Sequence, residues 1–176
     1  MEKANKVDTK MITGAILENG ESGYTYLKKM FRAMDDFQRD YNWLITDCEA
    51  YPKDPNIATI FQQKYNSYAL ISGEELTDFV NKDDFQWIWA VLSGFEKSIS
   101  KSDILKFELP YANGYKGFWA ENITMQHSLS SIELVAWDSS CTLLISRHLS
   151  IIKKFRKIYP LSEDLKRYNV KNKMVG

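Results

Sequence analysis

The sequence predicts one α+β (or α/β) domain, a largely antiparallel or mixed sheet packed by about four helices. Three observations predict it. Short runs of β-branched and aromatic residues alternate with apolar stripes at three- and four-residue spacing, the two periods that separate strand from helix. Residues 85–95, FQWIWAVLSGF, have almost no polar face, as a central strand covered on both sides would. SIELVAW and CTLLISR flank Asp138-Ser139-Ser140, two strands joined by a tight polar turn.

The elements follow in order. KMITGAIL (10–17) reads as a first strand, ended by the turn residues of ENGESG. Tyr24, Leu27, Met30, Phe31, Met34 and Phe37 then form one apolar stripe, predicting a helix over 24–37. YNWLIT (41–46) is a second strand. Asp54 as cap with Pro55 at the first helical position opens a helix over 55–65. SYALIS (67–72) is a third strand, and Ser72 with Glu75 forms a capping box for a helix over 73–81 that turns Leu76, Phe79 and Val80 inward.

In the run 85–95, alternation points Phe85, Trp87, Trp89 and Val91 one way and Ile88, Ala90 and Leu92 the other. DILKFELP (103–110) alternates as a half-exposed strand would. Residues 111–131 read as a long irregular connection holding Phe118 and Trp119. In SIELVAW, Glu133 falls opposite Ile132 and Leu134. A helix over 149–159 buries Leu149, Ile152, Phe155 and Tyr159 and stops at Pro160. Ser162 can cap a last short helix in SEDLKRY. The expected organisation is one globular domain over 1–170 with a frayed tail over 171–176.

At 176 residues and 44% hydrophobic composition, a chain can bury one core unaided. Cys48 and Cys141 lie far apart without paired spacing, so neither a zinc site nor a disulfide framework is indicated. No apolar run is long enough to span a membrane, and the N-terminus does not read as a cleaved signal. A cytoplasmic location with free thiols is the expectation. Nothing resembles a nucleotide cradle, and no cofactor or metal is called for.

Charge is balanced but unevenly placed. Residues 1–150 carry 15 Lys and Arg against 21 Asp and Glu, and residues 151–176 carry 8 against 2. Lys153, Lys154, Arg156 and Lys157 could touch phosphates, but the acidic body and a pI near 6.7 speak against nucleic acid. The acidic body suits a basic protein partner. Asp35, Asp36, Asp40, Asp47, Glu49 and Asp54 form one group, and Glu74, Glu75, Asp78, Asp83 and Asp84 a second. Such acids steer association, and exposed aromatics such as Tyr41, Tyr51 or Tyr65 would anchor it.

The catalytic alternative is Cys141 with His127 or His148. A thiol nucleophile needs a base within hydrogen-bond reach and surroundings that lower its pKa. Cys141 instead opens a strand, and His148 lies across that strand from it. A small thiol beside a hairpin turn is the simpler reading, with Asp138 as a turn residue.

WIWAVLSGF, LPYANGYKGFW, MQHSLSSIELVAWDSSCTLLIS and FRKIYPLSEDLKRYN together resemble a family of small bacterial proteins, some of them similar to immunity proteins encoded beside polymorphic toxins. The likeness spans about 65–169. Its most specific pieces are Trp137-Asp138-Ser139-Ser140 and Pro160-Leu161-Ser162-Glu163-Asp164-Leu165. It implies a non-enzymatic cytoplasmic protein that binds and occludes a cognate toxin, and it brings no catalytic residues with it.

Overall fold

The computed structural model describes residues 11–20, 25–61 and 67–173. Its strands are β1 (Thr13–Leu17), β2 (Tyr41–Ala50), β3 (Tyr68–Ser72), β4 (Trp87–Glu96), β5 (Ile132–Trp137), β6 (Cys141–Ser146) and β7 (Glu163–Asp164). Its helices are α1 (Leu27–Ala33), α2 (Pro55–Phe61), α3 (Gly73–Lys82), α4 (Lys101–Ile104), α5 (Leu149–Ile158) and α6 (Leu165–Lys173). The strands make one open α+β sheet in the order β3-β2-β4-β5-β6-β1-β7, and every pairing is antiparallel.

The two faces of the sheet are covered differently. On one, Phe31 of α1, Phe61 of α2, Leu76 of α3 and Phe155 of α5 pack against Trp43, Ile45, Leu92, Leu134 and Leu144 in one buried cluster. On the other, Val91, Val135, Leu143 and Ile145 meet Ala112, Phe118 and Met125 of the long connection and Leu165 of α6. Leu44 and Phe95 meet Ile104 of α4 on the same side. Cover on both faces explains why the run 85–95 has no polar side. Gly94 lets the Trp43 ring lie close there: an added Cβ would sit 3.1 Å from it, so the ring would have to give by a few tenths of an ångström.

The phase of that run changes once. Trp87 packs with Ala90 and Leu92 on the helical face, whereas Trp89 and Val91 face the connection, so the expected grouping of Trp87 with Trp89 and Val91 is corrected. The cause is a pair of offsetting bulges. Thr46 pairs with Val91 and Glu49 with Trp89, which gives β2 an extra residue; Ala50 then pairs with Trp87, which leaves Ile88 as the extra residue of β4. Asp47, in the first bulge, has φ 47°.

Other expectations shift for local reasons. The helix expected over 24–37 ends at Ala33, because Asp35 and Asp36 take φ values of 57° and 52°, and a short 3-10 turn, Phe37–Asp40, follows. Tyr24, Lys10 and residues 62–65, parts of expected elements, lie outside the described residues. The strand expected over 103–110 is replaced by α4 and turns: the Ser100 hydroxyl accepts from the Asp103 N–H (3.1 Å), capping a helical turn. Leu149, expected inward on α5, is exposed. Ser162 does not cap the last helix. Its hydroxyl donates to the Tyr159 carbonyl, Asp164 accepts from the Arg167 N–H (3.0 Å), and Glu163–Asp164 pair with β1. The tail expected to fray from 171 is helical through Lys173, and 174–176 lie outside the described residues.

Candidate partner-binding cleft

Carboxylates tie three helix ends together beside the bulged end of the sheet. Asp83, at the end of α3, accepts at Oδ2 from the Lys53 and Asp54 N–H groups at 2.5 and 2.9 Å. Asp54 in turn accepts at Oδ1 from the Asn56 and Ile57 N–H groups, capping α2 as expected, and pairs with Lys82 at 2.6 Å. The Lys82 contact holds its carboxyl below the usual range. Asp84 accepts at Oδ1 from the Lys28 N–H (3.3 Å) where α1 begins. The Trp87 N–H donates to the Thr25 carbonyl, fixing the start of β4 alongside.

Between these ends lies a cleft of about 320 Å³ lined by Tyr26, Tyr51, Lys53, Asp83, Asp84 and the bulge residue Ile88. Tyr51 is 67% exposed and Tyr26 39%. The Tyr51 hydroxyl donates to Glu49 (3.2 Å), and that bond raises its pKa. Burial raises the Asp84 carboxyl above its ordinary value despite the Lys28 N–H. Three sequence candidates therefore line the cleft, Tyr51, Asp83 and Asp84, and Glu49 adjoins it through Tyr51. Tyr26 and Lys53 line the cleft without having been singled out by pattern; the only signal for Tyr26 is a tyrosine just before a helical stripe.

The remaining acids lie elsewhere. β2 is ten residues long, roughly 30 Å at strand rise. Tyr41, its first residue, pairs with Glu96, while Ala50 pairs with Trp87. Asp36, Asp40, Glu74 and Glu75 belong to the Tyr41 end, where Gly73 packs against the backbone of Gln38 and Arg39. Asp36 accepts from the Gln38 amide, Glu74 pairs with Lys97 (2.9 Å), and Glu75 completes the capping box with Ser72. Asp35 pairs with Lys154 of α5, and Asp78 is exposed midway along α3. Asp47 reaches the connection, accepting from the Ala112 and Asn113 N–H groups at 2.7 and 2.9 Å. Tyr41, expected as an exposed anchor, is buried beside Trp43 and His148, and Tyr65 lies outside the described residues.

Cys141, His127 and His148 do not converge. Cys141 pairs with Trp137 at the hairpin, at the opposite end of β6 from His148, and burial pushes its thiol up to about 12. His148 sits 3.7 Å from Glu96. His127 is buried between Phe95 and Phe107, with Nε2 on the Ile104 carbonyl (3.1 Å) and Nδ1 facing the Leu129 N–H (3.3 Å). That arrangement is the neutral ring, and burial lowers its pKa.

Pattern placed Glu133 opposite its apolar neighbours, yet it is fully buried. Oε1 accepts from the His127 N–H (2.7 Å) and Ser130 hydroxyl (3.1 Å), and Oε2 from the Gln126 N–H (2.9 Å). Burial outweighs these donors and pushes its carboxyl up to about 7. The His127 ring bonds elsewhere, so the pair is no acid–base dyad. Among the described residues no group of His, Cys, Asp and Glu is arranged to hold a metal, and no helix is long and apolar enough to cross a membrane.

Comparisons of the chain with protein-family models, with curated proteins and with solved structures give no match.

Proposed function

We propose that this chain is a non-enzymatic protein-binding protein that docks its partner at the cleft bounded by Tyr26, Tyr51, Asp83 and Asp84. As the likeness to immunity proteins implies, that partner is a basic toxin domain, occluded in the cytoplasm without any cofactor. The observation that carries the reading is the pairing of two exposed tyrosines with two carboxylates whose backbone surroundings are already fixed by hydrogen bonds. Tyrosine offers a large amphipathic surface at small entropic cost, and a pre-set rim spares the ordering cost of binding. Carboxylates raise the rate at which a basic surface arrives. An interface of standard size, about 800 Å² per partner, would extend well past the cleft. The separation of Cys141 from both histidines supports binding over a thiol-based reaction.

The test begins with isolation of stoichiometric partners from host lysate on tagged protein at low and moderate salt, identified by mass spectrometry. Association is then timed for wild type, Tyr51→Ala, Asp84→Lys and, as a far-end control, Asp40→Lys. A basic partner whose association slows with salt, weakens with the first two variants and ignores the third is expected. No partner at either salt, or one that binds Tyr51→Ala and Asp84→Lys unchanged, rejects the reading.

A further inference from the structure

We propose that the cleft is a receptor for one guanidinium group, the side chain of an arginine presented by the protein partner. This rests on the binding reading above and gives its anchor a chemistry. A space of about 320 Å³ suits a single side chain rather than a docked helix. Its walls carry two tyrosine rings, the surface on which a planar, weakly hydrated cation stacks.

Its charge is negative and only partly used. Asp83 spends Oδ2 on the Lys53 and Asp54 N–H groups, and Asp84 spends Oδ1 on Lys28. Among the described residues nothing is bonded to Asp83 Oδ1 or Asp84 Oδ2, so two acceptors border the cleft for a forked donor. The ten-residue α3 also ends there and turns the negative end of its dipole to the same place.

The nearby cations have other hydrogen-bond partners, although the charges of Lys28 and Arg32 also act on Asp84. Lys28 Nζ donates to the Asn81 carbonyl (3.1 Å), Arg32 to the Asn81 side chain (3.4 Å), and Lys82 pairs with Asp54. Lys53 alone of the neighbouring bases lines the cleft, so it competes with any incoming cation.

The probe is acetyl-Gly-Arg-Gly-amide, with its lysine and citrulline counterparts, titrated into the full chain while tyrosine ring signals are followed by NMR. The arginine peptide should shift Tyr26 and Tyr51, and the uncharged citrulline peptide should bind about tenfold more weakly. Tyr51→Ala and Asp84→Asn should each weaken the arginine peptide about tenfold, and Lys53→Ala should tighten it severalfold, an opposite sign that general damage to the fold would not produce. Equal binding of the citrulline or lysine peptide, indifference to Tyr51→Ala, or weakening by Lys53→Ala overturns the proposal. If a stoichiometric partner is captured in a Tyr51-dependent way while the arginine peptide moves neither ring, the guanidinium anchor falls and the docking site stands.

Discussion

One sheet is covered in two ways, and the difference shows where polar side chains are needed. On the helical face, α1, α2, α3 and α5 pair most of their backbones internally, and side chains are needed at their ends: Asp54 and Ser72 cap α2 and α3, Asp84 takes the Lys28 N–H, and Asp83 takes those of Lys53 and Asp54. On the other face, an irregular connection lies against buried strands and pairs only some of its N–H groups internally. Side chains reach out to supply partners: Asp47 takes Ala112 and Asn113, Glu133 takes Gln126 and His127, and Asn169 of α6 donates to the carbonyls of Phe118 and Ala120. A buried acid in mid-strand is here a fastening for a loop. Catalysis is not needed to explain it.

The comparison predicts different failures on the two faces. Trp43→Ala, which empties the helical core and loses the indole bond to the Gln38 carbonyl, should cost about 4 kcal/mol in denaturant melts and lower protection everywhere. Glu133→Ala, which leaves the Gln126 and His127 N–H groups unpaired while the Ser130 hydroxyl keeps the His127 carbonyl, should cost about 3 kcal/mol. Its signature should be local, with hydrogen exchange accelerating around 126–130 while α3 keeps its protection. Uniform loss of protection in that variant would mean that the two covers are one cooperative unit.

The titration of Glu133 sharpens the contrast. Its folded pKa, about 7, lies above the ordinary 4.5, so the stability it contributes is full below pH 4.5 and is lost as pH rises through 7. His127, lowered by burial, acts oppositely as pH falls. The difference between wild type and Glu133→Gln removes the histidine's share. It should move toward wild type by at most about 3 kcal/mol between pH 8 and pH 4.5, and a pH-independent difference would reject the assignment. Asp47→Ala should cost about 2 kcal/mol, from two lost N–H partners and an alanine held at positive φ, and Ser72→Ala about 1 kcal/mol.

Legibility divides along the same line. The helical face could be read because Ile57, Leu76 and Phe155 recur at the helical period and the caps are local in sequence. The hairpin could be read because its turn needs tolerant residues: Asp138 and Ser139 sit at φ 48° and 53°, and the Ser140 N–H closes onto the Trp137 carbonyl. Alternation put Glu133 on the correct face, opposite Ile132 and Leu134, but a period-two pattern cannot foresee a loop arriving to bury it there. Leu105, Phe107 and Leu109 imitated a strand, although Ser100 and Asp103 carried the competing helical signal. The acids between 35 and 54 form one run in sequence, yet β2 carries that run from one end of the sheet to the other. The cleft joins α1, the 51–54 loop, α3 and β4, and no single window of sequence contains it.

The place of β1 in the sheet also bears on how the protein is made. Among the described strands β1 comes first in the sequence, yet its neighbours are β6 and β7, more than a hundred residues further on. Ala15, Ile16 and Leu17, fully wrapped in the finished molecule, must wait while more than a hundred further residues emerge. Closing so long a loop is slow, and until it closes β5–β6 presents an unfilled edge that another nascent chain could fill instead. During translation β1 is therefore the strand left waiting, and the β6 edge stands open from the emergence of β6 until β1 docks beside it.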